Sequence, residues 1–371
     1  QTFMKVLGIN ITIFGILLFS PAIIYRMFTK VKPRFAQLTN QTNDQRAYYP
    51  TYENKQFSIE LFNEWEKLST DYRSFIGWKR EKLNLKYTNI EGPYNARKSL
   101  GEAINNSVWF FGGSTMWGIG SSDIQTIPSH FNSLTNFPVY NFGETGWNSR
   151  QSLNQLINVI GDNNKPTAVI FYDGVNDVIH QCRTHIKLLP SHSREKQIQN
   201  ALKGPSTKKR LTNFIVAPYV SLANNLNIQL PVFKEVNYKI QDCEINQTKA
   251  LSIAKHIVNN WRTAYILSKT YGFEFYGILQ PTLFTTKTNS EYFPASEVKK
   301  NIQREIQYNA VYPLILKEIK SYCEADTDFC ASIIDGTDWL DETSNIFIDY
   351  CHINSFGNKV IAKRIKSLLK K

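Results

Sequence analysis

From residue 108 onward, unbroken apolar runs alternate with stretches whose apolar positions recur every three or four residues. The runs "VWFF" (108–111) and "TAVIFYDG" (167–174) suit parallel strands covered on both faces. "FPVYNFG" (137–143), "FEFYGILQPT" (273–282) and "SIIDGT" (332–337) predict three more strands. Between them the spacing predicts helices. Leu153, Leu156, Ile157 and Ile160 share one face, and Ala250, Ala254, Ile257, Trp261, Ala264 and Ser268 share another that stops at Gly272, a C-terminal signal. Further helices are predicted with Ile127, Phe131 and Leu134 behind a Ser122 or Asp123 cap, near Glu297 to Tyr322, and over "NSFGNKVIAKRIKSLL" (354–369). This alternation implies an α/β fold, a three-layer α/β/α sandwich with a central, mostly parallel sheet.

Ahead of residue 108 the pattern differs. "VLGINITIFGILLFSPAIIY", Val6 to Tyr25, carries no charge and is about the length that crosses a hydrocarbon core, so one N-terminal transmembrane helix is expected over residues 6–25. A cleaved signal would have a shorter apolar region ending in small residues, whereas this one runs through Pro21 into Ile23 and Ile24. Residues 1–34 are therefore read as an anchor with a basic flank. Residues 35–107 read as a membrane-proximal spacer packing on the body, with a helix near Ile59 to Thr70 and a hairpin-like stretch from Gly77. Residues 108–371 form the main domain, interrupted by a polar insertion at about 180–246.

The formal charge of +12 raises the question of an acidic partner. Much of the excess lies in Arg26, Lys30, Lys32 and Arg34 and in Lys359, Lys363, Arg364, Lys366, Lys370 and Lys371. No nucleic-acid motif accompanies it, so a solvated or membrane-facing surface is expected rather than nucleic-acid binding. The five cysteines have no zinc spacing. Pairing is predicted between Cys182 and Cys243, across the insertion, and between Cys323 and Cys330, leaving Cys351 unpaired. Disulfides place the body outside the cytoplasm, periplasmic or extracellular, against the positive-inside reading of the basic cluster that follows the span.

Several predicted strands end in distinctive polar turns, where open α/β sheets bind their ligands. The first leads into "GGST", with Ser114; the second into "NFGETGWNS", with Gly146; the third into "YDGVND", with Asn176. Ahead of the last helix, "IDYCHINSFGN" holds Asp349 and His352 three apart. These four blocks, in this order, resemble those of the SGNH hydrolases, or GDSL-type esterases, over roughly residues 108–370 with 180–246 outside the match. The first block reads GGST where the family's name motif has GDS, a variation similar to membrane-anchored and polysaccharide-modifying branches.

The resemblance implies an SGNH/flavodoxin-like fold and a serine esterase that uses neither cofactor nor metal. Ser114 would attack, His352 would take its proton, and Asp349 would orient and stabilise the imidazole. The backbone N–H groups of Ser114 and Gly146 and the side-chain amide of Asn176 would form the oxyanion hole. Gly143 is the competing glycine; the spacing from Asn141 favours Gly146. Trp117 and Trp147 lie close in sequence to these residues and fit either sugar stacking or core packing. The expected substrate is an O-acyl, chiefly O-acetyl, ester of a cell-surface glycan or glycolipid. Transfer of the acyl group to a surface polysaccharide would use the same residues, and a non-catalytic glycan-binding or assembly protein is the alternative from another class.

Overall fold

The computed structural model describes residues 42–187, 189–203, 240–288, 291–341 and 343–369. The chain divides into two units. One, Asp44–Glu195 with Tyr238–Lys371, holds the sheet and everything described below. Of the other, Gln1–Asn43 with Lys196–Asn237, the described part is residues 42–43 and residues 196–203 of the helix Glu195–Lys203.

Strands β1 (Thr70–Arg73) and β2 (Gly77–Arg80) pair with each other in an antiparallel hairpin. The strands β3 (Leu83–Asn84), β4 (Asn89–Glu91), β5 (Ala96–Arg97), β6 (Val108–Gly112), β7 (Val139–Asn141), β8 (Ala168–Asp173), β9 (Glu274–Leu279) and β10 (Ile333–Asp335) form one sheet. Its order is β10-β9-β8-β6-β7-β5-β4-β3. The first five run parallel, in the register Val108↔Ala168 for β6 and β8 and Ala168↔Glu274 for β8 and β9. The last three are antiparallel.

Strand alternation explains the two cores. Along β6, Trp109 and Phe111 enter one cluster while Val108 and Phe110 enter the other, and β8 splits Val169 and Phe171 from Ala168, Ile170 and Tyr172 in the same way. The first cluster is roofed by helices Ser149–Gly161, Gln247–Tyr271 and Ala295–Cys323, through Leu153, Leu156, Ile257, Trp261, Val311 and Ile315. The second is closed by helices Ile127–Thr135 and Ser355–Leu368, through Phe131, Ile361 and Ile365. With both faces buried, every residue of β6 and β8 is covered, which is why those strands read as continuous apolar runs.

The sheet is mixed rather than mostly parallel. The stretch expected to be a spacer supplies β3, β4 and β5 to it, because Arg97 meets Asn141 at the free edge of β7 and extends the ladder. The helix expected at Ile59–Thr70 lies at Lys55–Trp65, where the Asn54 side chain accepts from the Phe57 N–H at 3.0 Å and sets its start. The cap expected from Ser122 or Asp123 comes from Thr126, ahead of Pro128; Ser122 caps only a 3-10 turn, and Asp123 binds Arg97 at 2.6 Å. Both predicted disulfides, Cys182–Cys243 and Cys323–Cys330, are formed, and Cys351 is free and buried. Among the described residues no helix is long and apolar enough to cross a membrane; Val6–Tyr25 lies outside them, as do residues 204–239 of the insertion and Lys370 and Lys371.

Candidate active site

At the carboxyl end of β6 the chain turns through Gly112 and Gly113 into the short helix Ser114–Trp117, which sets Ser114 on its first turn. A Cβ at Gly113 would lie 2.2 Å from the Asn176 Nδ2 atom, so any side chain there would displace that amide.

His352 and Asp349 arrive from the loop before the last helix. His352 Nε2 lies 2.6 Å from Ser114 Oγ, and His352 Nδ1 lies 2.6 Å from Asp349 Oδ2. Asp349 Oδ1 accepts the backbone N–H groups of Cys351 and His352 at 3.0 and 2.9 Å, so the carboxylate is oriented by its own loop. Burial pushes the Asp349 carboxyl up, but the neighbouring His352 and Arg46 outweigh it and hold it well below the usual carboxylate range. The nucleophile turn and the histidine loop are also tied directly: Thr115 Oγ1 donates to the Cys351 carbonyl at 3.1 Å, and Gln280 Nε2, just past β9, donates to Thr115 Oγ1 at 2.8 Å.

The donors expected to face an oxyanion differ in how they are engaged. The N–H of Gly143 is spent on Asn141 Oδ1 at 3.0 Å, whereas those of Ser114 and Gly146 have no acceptor among the described residues. Gly146 has φ +79°, which favours glycine. Asn176 Nδ2 donates one N–H to the Trp147 carbonyl at 2.7 Å, leaving its second. The geometry thus favours Gly146 over Gly143.

Beneath these donors lies a buried carboxylate pair. Asp177 accepts the Ser149 hydroxyl at 2.7 Å and the Ser149 N–H at 3.1 Å, locking the turn after Gly146 to the helix that carries Asn176. Asp173, at the end of β8, accepts the Ser152 hydroxyl at 3.2 Å. Burial, and for Asp173 the adjacent Asp177 charge, push both above the usual carboxylate range.

Two groups that sequence reading missed stand out. Arg46, on a 3-10 turn capped by Asp44, donates to Asp349 Oδ2 at 3.0 Å while its Nε and second terminal nitrogen bind Asp44. Arg46, Glu297, Arg304, Tyr350 and Asp349 also line a cavity of about 260 Å³. The second group is His192 and Arg194, from the insertion: His192 Nε2 lies 2.9 Å from the Gly146 carbonyl. Only chain folding brings either near the site, so nothing in local spacing signals them.

Trp117 and Trp147 are placed differently from the sugar-stacking expectation. They are 2% and 0% exposed, with no ring face open to a substrate. Trp117 packs on Trp65 and beneath the Arg97 guanidinium at 4.2 Å; Trp147 lies under Lys79 at 4.7 Å and donates to the Trp78 carbonyl. Both are core. Ligand atoms of Asp349, Cys351 and His352 lie within 4.8 Å of one another, but Asp349 Oδ2 and His352 Nδ1 already bond each other, and burial raises the Cys351 thiol away from the thiolate a metal would take.

A buried serine, a bonded imidazole, an oriented carboxylate and unspent N–H donors can together carry nucleophilic acyl transfer. A family model described as GDSL-like Lipase/Acylhydrolase matches residues 108–365. Among solved structures the chain is similar to a lipolytic protein of the G-D-S-L family from Veillonella parvula, at 12% identity over 70% of this chain and 96% of that one, TM-score 0.35. It is similar also to a carbohydrate acetylesterase from Sinorhizobium meliloti, at 12% identity over 71% of this chain and 100% of that one, TM-score 0.35. Likenesses at these scores carry nothing about the substrate. No curated protein matches the chain.

Proposed function

We propose, from the premise that this chain belongs to the GDSL-like lipase/acylhydrolase family, that Ser114 is the nucleophile of a serine esterase acting on O-acyl, chiefly O-acetyl, esters of a cell-surface glycan. Family membership makes the chain an ester-hydrolysing enzyme. The observation that carries the assignment of residues is the continuous line from Asp349 through His352 to Ser114, with two contacts of 2.6 Å.

In the proposed reaction Ser114 Oγ attacks the ester carbonyl carbon as its proton passes to His352 Nε2. The carbonyl oxygen becomes an oxyanion held by the Ser114 and Gly146 N–H groups and the free N–H of the Asn176 amide. Collapse breaks the carbon–oxygen bond, His352 returns the proton to the departing sugar oxygen, and an acyl-Ser114 ester is left. Water then gives a proton to His352 and attacks the acyl carbon; the acyl–Oγ bond of Ser114 breaks as His352 returns that proton to Ser114 Oγ, and the carboxylic acid is released. A sugar hydroxyl in place of that water would give transfer instead of hydrolysis. Attachment of the body to a membrane through residues 6–25, on the extracytoplasmic side, belongs to the same proposal; the two disulfides support an oxidising compartment.

The test is covalent labelling of the full chain with a fluorophosphonate, alongside hydrolysis of p-nitrophenyl acetate with and without a candidate polysaccharide. The expected result is labelling and hydrolysis that both vanish in Ser114→Ala, with acetate appearing on the sugar only if transfer occurs. Undiminished labelling in Ser114→Ala would overturn the assignment.

A further inference from the structure

We infer that Arg194 forms an anion subsite beside the turn that carries Gly146, so that the natural ester bears a carboxylate or phosphate close to its acylated oxygen, which makes an acidic carbohydrate the substrate class. The inference rests on the reading of Gly146 as an oxyanion donor. An ideal Cβ on Gly146 would lie 3.8 Å from the Cζ and one terminal nitrogen of Arg194, so the guanidinium lies beside the residue whose N–H is read as an oxyanion donor.

Arg194 is held there by a chain of bonds. Its backbone N–H donates to His192 Nδ1 at 3.1 Å, and His192 Nε2 donates to the Gly146 carbonyl at 2.9 Å, a pattern that needs the neutral Nε2–H tautomer. Burial, reinforced by the Arg194 charge, pushes His192 down to about 3 and keeps it in that form. The guanidinium itself rests on the Trp78 ring at 5.0 Å, and Trp78 is buried and pinned by its own bond to the Thr145 carbonyl at 3.0 Å. Position is thereby set without using any of the five guanidinium N–H donors.

Among the described residues the Arg194 guanidinium makes neither a hydrogen bond nor an ion pair. Its acidic neighbour Glu144 is already committed, accepting the Arg80 and Thr145 N–H groups at 2.9 and 2.7 Å and lying 3.8 Å from Lys79 Nζ. Arg183 is close enough for its charge to act on that of Arg194. A planar fork of donors unengaged among the described residues matches a carboxylate or phosphate, which it can bind through two parallel bonds. A neutral sugar would use the same donors less well.

The experiment compares three O-acetylated methyl glycosides on the full chain: an uncharged glucoside, the corresponding glucuronide, and the 6-phosphate. The parent is expected to favour the charged esters by about tenfold in kcat/KM, mostly through KM. Arg194→Gln should bring that ratio toward one, Arg194→Glu should invert it, and Arg194→Lys should keep most of it. The glucuronide and phosphate arms report which anion fits. A parent ratio near one, or a ratio that Arg194→Glu leaves unmoved while all three rates fall together, would overturn the inference and leave Arg194 a structural support of the turn. Ser114-dependent labelling reports on the nucleophile separately, so an absent anion preference is distinguishable from an absent esterase.

Discussion

Replacing Asp173 by asparagine tests the buried carboxylate pair that holds the oxyanion-side turn in place. Asp173 is buried at the end of β8, bonded to the Ser152 hydroxyl at 3.2 Å and set against Asp177, and burial together with the Asp177 charge pushes it well above the usual carboxylate range. A carboxyl raised in the folded state binds its proton more tightly there than in the unfolded chain. Its contribution is therefore fully present below the unfolded value, near pH 4, and is lost as pH rises through the folded value. Each pH unit by which the folded value exceeds the unfolded one takes about 1.4 kcal/mol from the parent relative to a group with no charge to bury. The substituted amide would keep an uncharged oxygen for Ser152 and have no charge to bury. Urea denaturation of the parent and Asp173→Asn from about pH 4 to about pH 9 reads this directly. Near pH 4 the variant should equal the parent or fall below it by about 1 kcal/mol, the worth of one altered hydrogen bond. By pH 9 it should exceed the parent by several kcal/mol. A stability difference that stays constant across the range would refute the reasoning, because it would mean that Asp173 titrates alike in the folded and unfolded chain.

Asn176→Ala should lower kcat on p-nitrophenyl acetate roughly 100-fold with KM little changed, since the amide is asked to act only on the oxyanion; an equal fall in affinity and no fall in kcat would remove it from that role. Arg46→Met leaves Asp44 and Asp349 facing each other without their shared partner at side-chain exposures of 18% and 13%, and should cost about 3 kcal/mol in urea denaturation, with Arg46→Lys recovering part. Serine in place of both Cys182 and Cys243 opens a closure spanning 61 residues and should cost about 4 kcal/mol by the same measurement.

The legible part of this protein is the part written in local spacing. Strands buried on both faces must be continuously apolar and their helices must show one apolar stripe, so the β6, β8 and β9 units and the helices after them can be read directly. The candidate residues Ser114, Gly146, Asn176, Asp349 and His352 could be named for a related reason: each lies at or just past a stretch with its own glycine or polar signature at the edge of such a unit. The β3–β5 edge was not, because strands of two or three residues leave almost no period to detect. Trp117 and Trp147 misled because an indole has the same sequence signature whether it is packed in a core or open to a sugar.

By itself the sequence determined which segments become strands and helices, which turns carry reactive groups, and which cysteines stand ready to pair. Only the tertiary structure decided that Arg46 reaches across 303 residues to Asp349, that the Asn176 amide crowds residue 113, and that the Arg194 guanidinium, without an acceptor among the described residues, lies beside Gly146. The division has a physical cause. Periodicity and turn chemistry act between neighbours along the chain, whereas ion pairs, close approaches and the pairing of donors with acceptors depend on distances that exist only after the sheet has brought remote loops to one edge.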